Sequence, residues 1–344
     1  MDLRRALSWE PPDGWVRLSV IEAHTGGEPF RVVVAGLPDI PGDTILERRQ
    51  FARTNLDHYR KATMWEPRGH ADMYGGWPGP PVTPDGDLAV LFVHNEGFST
   101  MCGHGIIALC KVVLEIGALP SNSPETVLRI DTPAGQIVAT SQIVDGSVTT
   151  TSFLNVPSFA AGLDDTIQVE GIGEVVYDLA FGGAFYAVVE AETADVSLDD
   201  TVELIARGRA IKHAIANARN IRHPDHGDLG FLYGVIFTGP PSSPAAHSRN
   251  VCVFADGEVD RSPTGTGVSA RLALLHARGE VGIGELVTIE SIVGSSFTGK
   301  VVATTAVAGH PGIIPQVEGT AHITGRSELW LDPADDLGRG FLLR

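Results

Sequence analysis

Apolar positions along the chain follow two periods. Short runs rich in β-branched residues, at 31–34, 88–93, 187–189 and 251–254, read as strands. Other stretches carry apolar residues at helical spacing, as in Leu204, Gly208, Ile211, Ile215 and Ala218. A third pattern follows Cys102. Here Ile106, Ile107, Leu109, Val113, Leu114 and Ile116 leave no polar face, so the pattern predicts a helix buried on all sides. Gly117 then supplies a stop signal, and Gly279 ends a second predicted helix in the same way. The expected helices cover 102–116 and 264–278.

These elements recur in order. Residues 89–108 align without gaps on 251–270, placing Cys102 on Thr264, Gly103 and Gly105 on Gly265 and Gly267, Phe92 on Phe254 and Glu96 on Glu258. A weaker match places Gly26-Gly27 on Gly182-Gly183, each pair leading into a strand. The chain therefore reads as two duplicated α+β halves, each with strands wrapped around one central helix. The expected divisions are 14–158, 159–329 and a tail, 330–344, packing back on the first half.

Composition narrows the function. The formal net charge of −17 leaves no basic field for nucleic acid or an anionic membrane. Three cysteines form neither a disulfide framework nor a CxxC zinc pattern. The N-terminus lacks the apolar core of a signal peptide, and no apolar run reaches membrane-spanning length. These features predict a cytoplasmic protein without a metal.

The two Gly-x-Gly helix starts carry the chemistry. The first N–H groups of a helix lack internal partners and sit at the positive end of its dipole. Gly103, His104, Gly265 and Thr266 thus offer two nests for a carboxylate. Cys102 opens the first helix, a place that lowers a thiol's pKa and favours thiolate. A thiolate beside a carboxylate nest is suited to remove an α-proton. The alternative is a small buried residue, which describes most free cysteines, Cys110 and Cys252 included. Asp260 lies close to the second nest, either holding a substrate ammonium or capping a loop. Phe185 and Tyr186 either wall a pocket or pack the core. His24 and His70 belong to no metal cluster. Both Gly-x-Gly segments also fit the dinucleotide fingerprint GxGxxA. That fingerprint must follow its strand at once, and here the strands end about ten residues earlier, so a nicotinamide cofactor is not expected.

At these residues the chain resembles the proline racemase family. The motifs are His24-Thr-Gly-Gly-Glu-Pro29, Pro67-Arg-Gly-His70, Met101-Cys-Gly-His-Gly105, Gly182-Gly-Ala-Phe-Tyr186 and Asp260-Arg-Ser-Pro-Thr-Gly-Thr-Gly267. The resemblance implies a diaminopimelate-epimerase-like fold with the active site between two domains, and no cofactor. Racemases and epimerases of the family carry two cysteines at the helix starts. The pair here, Cys102 and Thr264, is similar to that of the family's trans-3-hydroxy-L-proline dehydratases. The resemblance implies that Cys102 and Thr264 are catalytic, and that Gly103, His104, Asp260, Gly265 and Thr266 bind the substrate. The implied product is Δ1-pyrroline-2-carboxylate, formed through the Δ2 enamine and consumed by a separate reductase. Proline racemisation or 4-hydroxyproline epimerisation is the alternative, and a non-catalytic amino-acid-binding protein a third reading. A homodimer is also expected.

Overall fold

The computed structural model describes residues 1–343, so Arg344 of the expected tail lies outside the described residues. Sixteen of the eighteen described strands form two sets of eight with one pattern of pairing, and the short Phe98–Ser99 and Glu258–Val259 each pair with the fifth strand of a set. The first runs, neighbour to neighbour, Ala321–Leu331, Val16–Thr25, Glu28–Ala35, Tyr74–Gly79, Leu88–His94, Glu125–Thr132, Gly135–Val144 and Ser147–Leu154. The second runs Phe159–Val169, Gly173–Phe181, Phe185–Glu190, Leu232–Gly239, Ser248–Phe254, Leu286–Glu290, Ser296–Val307 and His310–Gly319. In both, the third strand pairs parallel with the fourth and the fifth with the sixth, while the other neighbours are antiparallel. Ser147–Leu154 pairs with His310–Gly319 and joins the sets edge to edge.

Parallel neighbours require crossovers, and helices supply them. In the first half α1 (Ile45–Asn55) and α2 (Asp57–Met64) make one crossover and α3 (Gly103–Glu115) the other. In the second half α4 (Thr201–Ala218) and α5 (Gly265–Ala277) take the same places. Local signals start them. Thr44 and Glu47 form a reciprocal capping box on α1, and the Asp200 side chain accepts from the Glu203 N–H on α4. The helical stripe of α4 is buried at Leu204, Gly208, Ile211 and Ile215, as its spacing predicts, while Ala218 at the helix end is exposed.

The all-round apolar pattern of α3 has the expected consequence: every residue from Gly103 to Leu114 except Lys111 is buried. Lys111 leaves the core by donating to Val148 O at 2.6 Å and pairing with Glu115. Helix α5 is equally buried from Gly265 to Leu275. The two helices share one apolar core with the strands around them.

The chain returns to the first half earlier than the sequence implied. The last strand pairs with Val16–Thr25 from Ala321 onward, so 321–329 hydrogen-bond to the first set, where the reading placed them in the second. Hydrophobic alternation in this strand does not show which sheet edge it joins. No helix of the described residues is long and apolar enough to cross a membrane.

Candidate active site

The glycine pairs that lead each half explain how a site is built between them. Gly26 and Gly27, with φ of 59° and 92°, make a tight turn between the first two strands. The neighbouring Thr25 hydroxyl donates to His104 O at 2.9 Å, fixing that turn on the first turn of α3. The matching turn in the second half sits on α5 at the equivalent carbonyl. A Cβ on Gly182 would lie 2.2 Å from Thr266 O. Each hairpin thus props the N-terminus of its own helix.

The two helix N-termini meet head to head. A Cβ on Gly103 would stand 2.7 Å from the Cα of Gly265, and the reverse contact is equally close. Gly-x-Gly is required here for backbone approach, not for a dinucleotide. The second glycine of the first motif, Gly105, gives room to the Cys102 sulfur and to the ring of Phe30. Its N–H donates to Cys102 Sγ at 3.2 Å, so the thiol caps its own helix.

Between the helix starts lies a cavity of about 20 Å³, bordered by Cys102, His104, Asp260, Thr264 and Thr266 together with Tyr74, Tyr186 and Tyr233. Gly103 and Gly265 border it as well, so all seven residues expected from the sequence come together. This volume holds about one water molecule. The N–H groups of Gly103, His104, Gly265 and Thr266 belong to first helical turns, where no earlier carbonyl of the helix can take them. The arrangement can receive an oxyanion from two sides.

The Cys102 thiol does not behave as its helix position implied. Burial pushes its pKa well up, and the nearby carboxyls of Asp260 and Glu28 add to the rise. The Gly105 N–H works in the other direction, more strongly than either carboxyl but less than burial. Burial and these charges together favour the neutral thiol. His104 supplies more than a backbone N–H. Its imidazole lies beside the sulfur, with Nδ1 at 3.3 Å, and burial holds it below the ordinary histidine range. A neutral imidazole can accept a hydrogen bond from the thiol.

The Thr264 side differs. Thr264 has φ 65° and ψ 99°, a region that a β-branched residue enters only at a cost of about 1–3 kcal/mol. Its hydroxyl does not cap α5 but donates to Asp260 Oδ2 at 2.8 Å. Asp260 Oδ1 accepts from the Ser262 N–H at 2.7 Å. The carboxyl is buried and faces the cavity, and its bond to the Ser262 N–H is the loop-capping role expected as the alternative.

Tyr74, Tyr233 and Glu28 were given no role by the sequence. Tyr74 and Tyr233 interact through their hydroxyls, and Tyr74 also shares a 2.5 Å hydrogen bond with Ser99. Tyr186 shares one of 2.6 Å with Thr266 Oγ1. Burial raises the pKa of all three tyrosines, so they present neutral hydroxyls. Tyr186 and Phe185 divide the two roles foreseen for them: Tyr186 faces the cavity, and Phe185 packs in the core of the second half. Glu28 is fully buried. Its Oε2 accepts from the Arg261 N–H at 2.7 Å, and burial with Asp260 nearby raises its pKa well above the carboxylate range. His24 serves its turn by accepting from the Gly27 N–H, and His70 bonds the Ala71 carbonyl. Among the described residues no group of three or more His, Cys, Asp or Glu is arranged to hold a metal.

Two similar halves with opposed helix N-termini, a cysteine on one and a polar residue on the other, define a class of two-domain proteins built around an interdomain cleft. The family model described as proline racemase matches residues 20–342, and the chain belongs to that family. It is 44% identical over 341 residues to a trans-3-hydroxy-L-proline dehydratase of Colwellia psychrerythraea, covering 98% of this chain and 96% of the relative. It is 45% identical over 329 residues to a 3-hydroxyproline 2-epimerase of Burkholderia multivorans, covering 95% and 98%. Among solved structures, a hydroxyproline epimerase from Agrobacterium vitis with bound trans-4-hydroxy-L-proline superposes with a TM-score of 0.90 at 33% identity, covering 96% of each chain.

Proposed function

We propose that this protein dehydrates trans-3-hydroxy-L-proline to Δ1-pyrroline-2-carboxylate, with Cys102 as base. The observation that carries the reading is the unlike pair at the helix starts: a thiol at Cys102 and a hydroxyl at Thr264, on either side of one small cavity. The several relatives named trans-3-hydroxy-L-proline dehydratase at 44–45% identity support it.

In this mechanism the substrate carboxylate takes the N–H groups of Gly103, His104, Gly265 and Thr266, and Asp260 holds the ring ammonium. The ammonium offsets the negative field of Asp260, which adds to the burial that holds the thiol protonated. Cys102 can then lose its proton to departing solvent, beside a His104 imidazole that burial keeps neutral. The thiolate removes the Cα proton, and the N–H groups at both helix ends stabilise the charge that develops on the carboxylate. Cα–H and C3–OH lie on one ring face. The new Cys102 thiol is therefore placed to protonate the departing hydroxyl in a syn elimination. Neutral hydroxyls of Tyr74 and Tyr233 give the cavity a polar wall for the ring hydroxyl. The enamine tautomerises in water to the cyclic imine, and a separate reductase must consume it. All three cysteines are free thiols, which fits work in the reducing cytoplasm.

Incubation with each hydroxyproline isomer, with the cyclic imine detected by NMR, tests this reading. Imine from trans-3-hydroxy-L-proline alone, lost in Cys102→Ser, is the expected result. Rapid interconversion of L- and D-proline without imine would favour racemisation instead.

A further inference from the structure

Cys102 and Thr264 occupy equivalent helix caps but spend their polar atoms differently. Cys102 Sγ accepts from its own helix at Gly105. Thr264 makes no side-chain cap, and its left-handed backbone directs Oγ1 to Asp260 Oδ2 at 2.8 Å. The contact is enclosed. Thr264 is 6% exposed and Asp260 4%. Ser262 locks it by donating its N–H to Asp260 Oδ1 and accepting the Thr264 N–H on its Oγ at 3.1 Å. A hydroxyl has one proton to give, and a carboxylate can only accept. Toward the substrate, Oγ1 therefore presents lone pairs alone.

We propose that Asp260 directs the outcome of the reaction through Thr264, by holding the threonine's proton so that the carbanion face opposite Cys102 has no donor. The inference rests on the dehydration reading. Once Cys102 has taken the Cα proton, the carbanion has two fates. In elimination the C3–O bond breaks, the carbanion pair becomes the C2–C3 double bond, and the Cys102 proton leaves with the oxygen as water. The thiolate is regenerated. In epimerisation a new C–H bond forms on the other face with a proton from Thr264. That step would leave an alkoxide 2.8 Å from the Asp260 carboxylate. Two negative charges so close in a buried site repel strongly. The second fate is closed and elimination proceeds. Toward Thr264, Asp260 is a positioning residue, in addition to its contact with the ring ammonium.

The test turns over trans-3-hydroxy-L-proline in deuterium oxide and quantifies the imine and cis-3-hydroxy-D-proline, the Cα epimer. Wild type should form the epimer at less than about one hundredth of the imine. Asp260→Asn should dehydrate more slowly and raise the epimer-to-imine ratio about tenfold or more, with deuterium at Cα of the epimer. A ratio does not move when active protein is merely lost. An unchanged ratio in Asp260→Asn overturns the proposal. Epimer formed by wild type at a rate near that of the imine also overturns it, and decides the matter if the variant fails to fold. No imine from wild type with any hydroxyproline isomer would overturn the dehydration reading itself.

Discussion

Gly103 and Gly265 touch backbone to backbone, so that a Cβ on either would stand 2.7 Å from the other's Cα. This contact sets how near the two helix N-termini can come, and hence how tightly two nests can grip one small carboxylate. It also makes an unusual prediction for a helical glycine. Gly→Ala in a helix ordinarily stabilises by about 1 kcal/mol. Here the added carbon meets backbone that cannot rotate away. Gly265→Ala should destabilise by about 1–3 kcal/mol, as overpacking does. It should also lower turnover about a hundredfold, the effect of shifting reacting groups by about 1 Å. Urea denaturation and steady-state kinetics check both. A stabilised variant with full activity would show that the helices do not meet in solution.

The raised pKa of Cys102 has a kinetic consequence. The base must be thiolate, while burial, Asp260 and Glu28 favour the thiol. In the free enzyme kcat/KM should rise with pH, about tenfold per unit while the thiol is mostly protonated. It should level off only above the ordinary thiol value of about 8.5. Cys102→Ser should lower kcat by about 10²–10⁴-fold. A pH–rate profile flat from about pH 6 to about pH 9 would show that the thiol is not what ionises.

Helices α3 and α5 were legible because an apolar face all round has one physical meaning, burial, and because the two halves repeat it. The paired site residues were legible for the same reason. What the sequence hides lies in contacts between distant segments. Tyr74 sits in Tyr74-Gly-Gly-Trp-Pro78, where two glycines and a proline hide the strand. It is a strand because Gly75 must pass 2.5 Å from the Arg31 carbonyl, measured from its absent Cβ, and Gly76 lies under Phe30. The Cys102 thiol was read from its helix alone. Burial raises its pKa most, and the carboxyls that add to the rise come from Glu28 on the first hairpin and Asp260 in the loop before α5. The final strand's choice of partner depended likewise on the open edge at Val16–Thr25, which no local pattern reveals.

A second thiol reports on the core. Cys110 on α3 is fully buried, and burial pushes its pKa up to about 12. In the unfolded chain a thiol ionises near about 8.5. Between these values the folded state keeps a proton that the unfolded state has lost, so this contribution to stability falls as pH rises. The slope approaches about 1.4 kcal/mol per pH unit. Cys110→Ala should be less stable at neutral pH, having lost buried volume, yet lose less stability between about pH 9 and about pH 11. Urea midpoints across that range provide the measurement. Parallel curves for wild type and variant would mean that Cys110 is not shielded.

The asymmetry of the helix caps yields the last prediction, for Thr264→Cys. A thiol is a far stronger acid than an aliphatic hydroxyl, so it can give a proton to carbon and leave a stable anion. Placed at residue 264, it faces the carbanion from the side opposite Cys102, because α3 and α5 point at the cavity from opposite directions. Cysteine also lacks the branched Cβ that fixes the threonine rotamer, so its sulfur can swing from Asp260 toward the substrate. The variant should therefore dehydrate more slowly and gain exchange of Cα–H with inversion. With L-proline, which has no 3-hydroxyl to expel, inversion is the only productive fate. Formation of D-proline by Thr264→Cys but not by wild type, followed by chiral chromatography, is the expected result. If the variant exchanges deuterium into L-proline but never forms the D-isomer, residue 264 does not face the second side of the ring, and its role lies in binding alone.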